Sequence, residues 1–331
     1  MRPRSKPGRR VIKILSTSIR LLVTVGLVAV LAARFDLGQA ASLMGHASLP
    51  LLAMTLTVLW AANLIVALRW HLILSAAAPS PGPATLLKLV FVGLFFNQVL
   101  PTGVGGDAVR AWRCSRLGIG LGPAVRSILL DRAWGYAVLV ILYVAVLPSL
   151  LRVLHETWER VGVVAVLAAA LAGLLALVSL DRLPRPLSDL RVIAPFAELS
   201  RQSRRLFMYP RRCGAVLGLS FLTITLTIVA FKLIADSIGS RLSLGTWTMV
   251  VPPVTLIQLL PVSLAGWGVR ETALVVALGS FGVPAEAALA TSILLGLCMI
   301  LAGLPGGLIW LAGWDIARPR LPPRARTLRS G

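Results

Sequence analysis

A short segment that combines proline, glycine and arginine occurs twice in this chain, each time within apolar sequence. The first copy, Gln98 to Arg110, reads QVLPTGVGGDAVR, and the second, Gln258 to Arg270, reads QLLPVSLAGWGVR. Six positions match at one offset of 160 residues: the Gln, the Leu, the Pro, one Gly, one Val and the Arg. Proline ends helices, glycine permits unusual backbone conformations, and arginine donates paired hydrogen bonds to phosphate or carboxylate. The pattern therefore predicts broken, cationic segments that hold an anion.

The sequence around both segments is typical of a membrane protein. Of its 331 residues, 57% are hydrophobic and 14% are charged, whereas about a quarter of the residues in soluble domains are charged. Charged, non-helical segments are tolerated at membrane depth only where they are enclosed by protein or line a watery cavity. We therefore place the functional site at the two repeated loops.

The distribution of basic residues favours a membrane over a nucleic acid as the partner. The net charge is +21, but the basic residues cluster at the ends of apolar runs and are not interleaved with aromatic residues. Cys114, Cys213 and Cys298 lie far apart without CxxC spacing, and the histidines are equally scattered. We expect no nucleic-acid partner, no metal site and no cofactor.

Apolar runs of about 20 residues predict six full transmembrane helices, over residues 14–33, 49–68, 121–151, 161–180, 214–235 and 286–313. Basic residues near the N-terminus, in 181–213 and in the tail place both termini in the cytoplasm. If the apolar segment before the first repeated loop, 85–100, crossed the membrane completely, Arg110, Arg113 and Arg116 would lie on the external side. We therefore predict two re-entrant helical hairpins there.

The predicted fold is an all-α polytopic membrane protein with an inverted-topology internal repeat in one integral membrane domain. The first half covers 12–180 with its loop at 98–110, and the second covers 214–313 with its loop at 258–270. Residues 181–213 form a basic cytoplasmic connector, and 314–331 form a basic cytoplasmic tail. The tetrapeptide Ser-Ile-Leu-Leu follows each loop, at 127–130 and at 292–295. The two loops are predicted to reach the membrane midplane from opposite faces.

Charged residues near the loops need partners because unpaired charge within a membrane is costly. Asp131 and Arg132 are adjacent, and neighbours on a helix do not face each other. We expect Asp131 to pair with Arg110, or Arg132 with Asp107. Asp107 could equally be an ordinary first-turn acid of a helix. A proton-coupled step through Asp107, Asp131 or Glu271 is an alternative to purely structural ion pairing.

Other polar positions have simpler interpretations. Lys232 and Asp236 have the spacing of an ion pair on one helix face, and Arg69-Trp70-His71 resembles an interfacial belt at the end of a span. Three glycines around Pro305 are expected to allow close helix contact or a kink; they are Gly303, Gly306 and Gly307.

We assign substrate binding, and no catalysis, to the amides, prolines, glycines and charged residues in and beside the loops. They are Asn97, Gln98, Pro101, Gly103, Gly105, Gly106, Asp107, Arg110, Arg113, Asp131, Arg132, Gln258, Pro261, Gly266, Arg270 and Glu271.

Three strings carry a resemblance to a known family: NQVLPTGVGGDAVRAWRCSRLG, the helix with SILLDRAWG, and LLPVSLAGWGVRE followed by GLPGG. Together they resemble the flippase-like family related to the membrane portion of lysylphosphatidylglycerol synthases, from about residue 12 to residue 313. The resemblance implies a multi-pass protein of the bacterial inner membrane that handles a polar lipid. Its motif residues fall on Asn97, Pro101, Gly103, Gly106, Asp107, Arg110, Asp131, Arg132, Pro261, Gly266, Arg270 and Glu271. Synthase activity is not expected, because no soluble aminoacyl-transfer domain follows the basic tail.

The first functional hypothesis is a lipid translocase that is not itself an enzyme, in which Arg110 and Arg270 hold an anionic headgroup in a shared midplane pocket. The alternatives are an intramembrane lipid-modifying transferase with Asp107 or Glu271 as base, and an accessory subunit of a lipid-synthesising partner protein. Membrane lipids are the expected ligands under each hypothesis.

Overall fold

The computed structural model describes residues 35–76, 80–100, 104–179, 194–259 and 268–313, together with a few isolated positions. The secondary structure in these ranges is helical, and no strand occurs in them. A π-helical turn, Ser115–Ile119, follows the fourth helix. The helices are α1 (Leu37–Gly45), α2 (Leu49–Ser75), α3 (Pro83–Val99), α4 (Gly105–Cys114), α5 (Leu121–Val153), α6 (Thr157–Ser179), α7 (Ala194–Phe207), α8 (Pro210–Ser237), α9 (Leu244–Ile257), α10 (Val269–Gly279) and α11 (Ala285–Leu311).

Five of these helices are long and apolar enough to cross a membrane, namely α2, α5, α6, α8 and α11. They correspond to five of the six predicted spans, although α2 continues to Ser75, past its predicted end at residue 68. The sixth predicted span, 14–33, lies largely outside the described residues. The chain is a multi-pass, all-helical membrane protein, as predicted. Leu167 is the one residue of α6 that is buried, so this helix lies at the outside of the helix bundle.

Each of the long helices α2 and α8 is followed by a pair of shorter helices, α3 and α4 in the first half and α9 and α10 in the second. The first repeated loop joins α3 to α4, and the second joins α9 to α10; residues 101–103 and 260–267 of these loops lie outside the described residues. The helices α3 and α4 run antiparallel, because the Arg110 side chain fills the space beside Gly93, whereas Asn97 accepts a hydrogen bond from the Gly106 amide (2.9 Å). The pair is a compact helical hairpin.

The long helices α2 and α8 occupy equivalent places in the two halves and pack against each other. The backbone N–H of Ser48, just before α2, donates to the Ser237 carbonyl at the end of α8 (2.9 Å). Near the other end of α2, Arg69 donates to the Ser220 hydroxyl, in the first half of α8 (3.1 Å). The two helices are therefore antiparallel, and their interface lies between the halves.

Glycines bring α11 close to α3. A Cβ at Gly306 would overlap the backbone carbonyl of Phe91, and a Cβ at Gly303 would lie 3.3 Å from the Cα of Phe95. Gly307 faces the ring of Phe95. The prediction that these glycines allow close helix contact is confirmed.

We expect Gly306→Ala to destabilise the protein, because the added methyl group forces α3 and α11 apart. Overpacking of this kind costs about 1–3 kcal/mol, which should lower the midpoint of thermal unfolding in detergent by several degrees. Gly218→Ala in α8 is the matched control, since no atom lies within 4 Å of the position that its Cβ would take. An unchanged midpoint for Gly306→Ala would contradict the close contact.

Candidate functional site

A buried ion pair joins α2 to α5. Arg69 Nε donates to Asp131 Oδ1 at 2.7 Å, and Arg69 Nη1 donates to the Ser220 hydroxyl on α8 at 3.1 Å. The two charged residues are only 6% and 2% exposed. Breaking a buried pair leaves an uncompensated charge, which is strongly destabilising. The pair therefore fixes α2 and α5 relative to each other.

Arg69 and Trp70 are buried inside the protein. The comparison with an interfacial belt places them against headgroups, whereas the structure packs both side chains against other helices. Trp70 Nε1 donates to the Ser127 hydroxyl at 3.0 Å. A signal in the sequence could have located Arg69: Asp131 lies within a span and needs a cation, and Arg69 lies within the extended α2.

Asp107 joins two arginines. Its Oδ2 accepts from Arg132 Nε at 2.6 Å, and its Oδ1 accepts from Arg110 Nη1 at 3.2 Å. The predicted pairing of Arg132 with Asp107 is confirmed. The alternative was Asp131 with Arg110, but Asp131 bonds Arg69 instead. As expected from helix geometry, the adjacent Asp131 and Arg132 have partners on different helices.

These residues surround a cavity of about 320 Å³ between the two halves. Its walls come from α2 to α5 of the first half and from α8 and α9 of the second. With Asp107 included, the cluster has three arginines and two carboxylates, so its net charge is positive. The polar and charged lining residues are Asn63, Arg69, Asn97, Arg110, Asp131, Arg132, Tyr136, Thr223, Thr227 and Thr255.

Arg110 has hydrogen-bond donors to spare at the wall of this cavity. It is 6% exposed, and its guanidinium carbon lies 4.3 Å from the centroid of the Trp70 ring. Nη1 bonds Asp107, whereas the buried Nε and Nη2 have no hydrogen-bond partner within the part of the chain that the structure describes. Buried donors without partners are costly, most of all on a charged group. Among the described residues that line this cavity, Arg110 is the one with buried donors that lack a partner.

Asn97 and the glycines place Arg110 against α3. Asn97 Oδ1 accepts from the Gly106 amide in the first turn of α4, at 2.9 Å. A Cβ at Gly106 would overlap the carbonyl oxygen of Gly93, and a Cβ at Gly93 would meet the Arg110 side chain. Gly105, the first residue of α4, is also buried. The close approach of these two helices depends on glycine at the contact.

Of the remaining predicted residues of the first loop, the two that the structure describes, Gln98 and Arg113, do not line the cavity. Gln98 is half-buried near the end of α3 and is not among the lining residues. Pro101 and Gly103 lie outside the described residues. Arg113, in the last turn of α4, has its guanidinium carbon 4.3 Å from the centroid of the Trp310 ring on α11.

The second copy of the motif forms a separate buried cluster. Arg270 Nη2 pairs with Glu271 Oε1 at 2.9 Å, and Arg270 Nε donates to the Ser292 hydroxyl on α11 at 2.9 Å. The Ser292 hydroxyl donates to Glu271 Oε1 at 2.9 Å, and the Gly268 amide donates to Glu271 Oε2 at 2.6 Å. Glu271 therefore caps the start of α10 and neutralises Arg270.

The prediction that Arg110 and Arg270 share one pocket is wrong for this cavity. Neither Arg270 nor Glu271 is among the described residues that line it. Gln258 donates to the Val254 carbonyl of its own helix at 3.2 Å. Pro261 and Gly266 lie outside the described residues. The motif is repeated, but the two arginines have different surroundings.

A second cavity, of about 340 Å³, lies on the other side of α9. Thr255 of α9 lines the charged cavity, whereas Val250 and Val254 line this one. Its walls, from α5, α6, α9 and α10, are almost wholly apolar, and Glu159 is the one charged residue among the described ones that line it. The charged cavity is therefore the candidate site for a polar ligand.

Comparison with known protein families also assigns the chain to a family of membrane proteins. The family model described as the lysylphosphatidylglycerol synthase TM region matches residues 17–307. This range includes both repeated loops and every charged residue around the two clusters. No curated protein and no solved structure matches the chain.

Replacing Asp131 by asparagine should strongly destabilise the protein, because Arg69 is then buried without an anion. Removing one partner of a buried pair costs about 3–5 kcal/mol, which thermal unfolding in detergent will register. Asp236→Asn is the control: it disrupts the predicted Lys232–Asp236 pair, which the structure confirms at 2.6 Å with side chains 28% and 22% exposed. That loss should be below about 1 kcal/mol. Equal losses in the two variants would contradict the importance of the Arg69–Asp131 pair.

Proposed function

This chain belongs to the family of the lysylphosphatidylglycerol synthase transmembrane region, and we propose that it binds a lipid with a polar or anionic headgroup in the charged cavity and translocates it. The observation that carries the proposal is Arg110, a buried guanidinium that lines the cavity and whose Nε and Nη2 have no hydrogen-bond partner among the described residues. Candidate lipids are phospholipids, aminoacylated phosphatidylglycerol, hopanoids and isoprenoid-linked sugars.

The electrostatics of the cavity favour an anionic headgroup. A guanidinium presents its N–H groups in a planar fork that matches two oxygens of a phosphate. Asp107 already accepts from two arginines and Asp131 from one, so neither carboxylate neutralises Arg110 completely. A phosphate would supply the missing acceptors and cancel the excess positive charge.

Polar side chains across from the arginines suit the rest of a headgroup. Thr223 and Thr227 on α8 donate their hydroxyl hydrogens to backbone carbonyls of their own helix, at 2.8 and 2.9 Å. Their oxygens keep lone pairs that can accept from a hydroxyl or an amine. Asn63 lines the same wall. The headgroup would thus be held by protein while its hydrocarbon chains stay in the bilayer.

The order and direction of the helices favour alternating access. In each half a long helix, α2 or α8, precedes a broken pair and then another long helix, α5 or α11. The antiparallel arrangement of α2 and α8 is expected when the halves have opposite orientations in the membrane. We propose that both broken pairs are re-entrant hairpins, that 14–33 is a sixth span, and that the loops enter from opposite faces.

The hydrogen bonds of the carboxylates favour lipid translocation over an enzymatic reaction on the lipid. A transferase, the second hypothesis, needs a carboxylate that is available as a base. Asp107 and Asp131 are both engaged by arginines, and Glu271 accepts from Arg270, Ser292 and the Gly268 amide. We therefore propose a role other than that of an enzyme, with a lipid-synthesising protein as the partner that supplies the cargo.

Reconstituted protein tests the role of Arg110. In liposomes with a trace of fluorescent phosphatidylglycerol, we expect Arg110→Gln to slow transbilayer movement about ten- to a hundredfold, because hydrogen bonds to charged groups contribute about 1.5–3 kcal/mol. Arg116→Gln removes an exposed arginine outside the cavity and should leave the rate unchanged. Wild-type movement by folded Arg110→Gln would remove the proposed binding role.

Lipid extracts from the same liposomes separate transport from synthesis. Mass spectrometry before and after the assay should show the same lipid species while the labelled lipid changes leaflet. A new species formed only by active protein would instead favour the transferase.

Cysteine labelling tests the proposed orientation in a bacterial plasma membrane, with both termini cytoplasmic. With the native cysteines replaced, we expect His155→Cys and Arg241→Cys to react with a membrane-impermeant maleimide on intact cells. Arg116→Cys and Met208→Cys should react only after lysis, because basic residues flank them and basic loops stay in the cytoplasm. All four positions are exposed. Reaction of all four from one side would contradict the inverted repeat.

A further inference from the structure

The three arginines that line the charged cavity differ in how accessible they are. The side chains of Arg69 and Arg110 are each 7% exposed, whereas that of Arg132 is 38% exposed. Arg132 Nε donates to Asp107 at 2.6 Å, and Nη1 makes a long contact of 3.5 Å with the Tyr136 hydroxyl. None of these contacts with described residues involves Nη2. Arg132 is therefore the guanidinium of the cavity that a ligand reaches most easily.

The carboxylates of the cluster are already paired with arginines. Asp131 is the one acid among the described residues that line the cavity, and it accepts from Arg69 at 2.7 Å. Asp107 accepts from both Arg110 and Arg132. Three arginines and two carboxylates leave an excess of one positive charge. The described cluster thus lacks one anion and has no unpaired carboxylate for an additional cation.

Uncharged acceptors line the cavity on α2 and α8. Asn63 Nδ2 donates to the Leu59 carbonyl at 2.8 Å, which leaves its Oδ1 to accept. The hydroxyl hydrogens of Thr223 and Thr227 are donated to carbonyls of their own helix, so their oxygens also act as acceptors toward a ligand. Such groups suit hydroxyl donors of a headgroup, but they do not neutralise a charge.

We propose that the cavity selects lipids that join a single phosphodiester to an uncharged, hydroxyl-bearing headgroup, such as glycerol or a sugar, and rejects headgroups with an ammonium group. The inference rests on the proposed function and narrows its candidates. It excludes aminoacylated phosphatidylglycerol and phosphatidylethanolamine as cargo. Arg132 makes the contact with the phosphate.

Charge balance separates these lipids. The negative charge of one phosphodiester cancels the excess positive charge, and Arg132 Nη2 donates to one of its oxygens. The headgroup hydroxyls donate to Asn63 and the two threonines. In a zwitterionic headgroup the ammonium group restores the positive excess, and a lysyl ester brings two ammonium groups next to three guanidinium groups. Placing like charges together at a site shielded from water weakens binding.

Competition between lipids tests this selection in the full chain. By native mass spectrometry from detergent, the wild type should bind dioleoylphosphatidylglycerol about tenfold more tightly than dioleoylphosphatidylethanolamine or lysyl-dioleoylphosphatidylglycerol. A polyprenyl phosphomannose has the same phosphodiester and hydroxyls on an isoprenoid chain, so it should also bind more tightly than the two amine lipids. The tighter binder of these two identifies the source of the headgroup.

Loss of the accessible arginine should remove the selection. Arg132→Gln leaves no excess positive charge, so the preference for phosphatidylglycerol over phosphatidylethanolamine should fall about tenfold, the effect of one lost hydrogen bond to a charged group. Arg152→Gln is the matched control, since Arg152 is an exposed arginine in the last turn of the same helix and is not among the described residues that line the cavity. It should select lipids as the wild type does.

An added carboxylate should reverse the selection. Thr227→Asp supplies the acid that the described cluster lacks, so phosphatidylethanolamine should then bind more tightly than phosphatidylglycerol. Thr227→Asn has nearly the same shape without the charge and should keep the wild-type order. Thr223→Asp replaces Thr227→Asp if the latter does not fold, as judged by its elution profile and circular dichroism.

The outcomes distinguish the two proposals. A wild type that binds none of these lipids removes the proposed function and the selection with it. A wild type that binds an amine lipid as tightly as phosphatidylglycerol removes the selection alone. Wild-type order in the folded aspartate variant also overturns it, because a cavity that selects by charge balance has to respond to an added carboxylate, whereas a merely structural effect would be shared by Thr227→Asn.

Discussion

Burial of charge inside a membrane is the constraint on which the rest of this structure depends. Arg69 and Asp131 pair at 2.7 Å, and Arg132 and Asp107 at 2.6 Å. These contacts connect α2 with α5 and α4 with α5, so helices distant in sequence are held by charges that need each other. Around the cavity this neutralisation is incomplete: the acids are fewer than the arginines, and Arg110 keeps donors that no described residue accepts.

The repeat preserves a motif while changing its electrostatics. In the first half the acid is Asp107, one turn before the arginine, where it is shared with Arg132. In the second half the acid is Glu271, directly after the arginine, where it also caps α10. Glu271 pairs with Arg270 alone among the described arginines, whereas Asp107 is shared between Arg110 and Arg132. The asymmetry therefore follows from where a single carboxylate lies relative to each arginine.

Much of the helical architecture could be predicted from the sequence, because long apolar runs and a repeated loop with proline are local signals. The choice of partners between helices is not local. Arg69 was missed as a site residue because its position near the end of a predicted span suits an interfacial role equally well. The proposed pair of Arg132 with Asp107 is present, whereas Asp131 pairs with Arg69 and not with Arg110. Helix periodicity shows that the side chains of Asp131 and Arg132 point in different directions, but it does not show which helix each one contacts. Arg270 does not line the charged cavity, and its Nε donates to Ser292, a partner far along the chain that no local pattern indicates.

The glycine contacts on both sides of α3 have a mechanical consequence. This helix meets α4 backbone to backbone at Gly93 and Gly106, and it meets α11 in the same way at Phe91 and Gly306. Beside these glycines the Phe96 ring of α3 packs edge-on against Trp310 of α11, with ring centroids 4.8 Å apart, and the Arg113 guanidinium of α4 lies over the same indole. Asn97 ties the first turn of α4 to α3. Any shift of the hairpin along α11 therefore has to move the Phe96–Trp310 contact, and it carries the guanidinium of Arg110 with it.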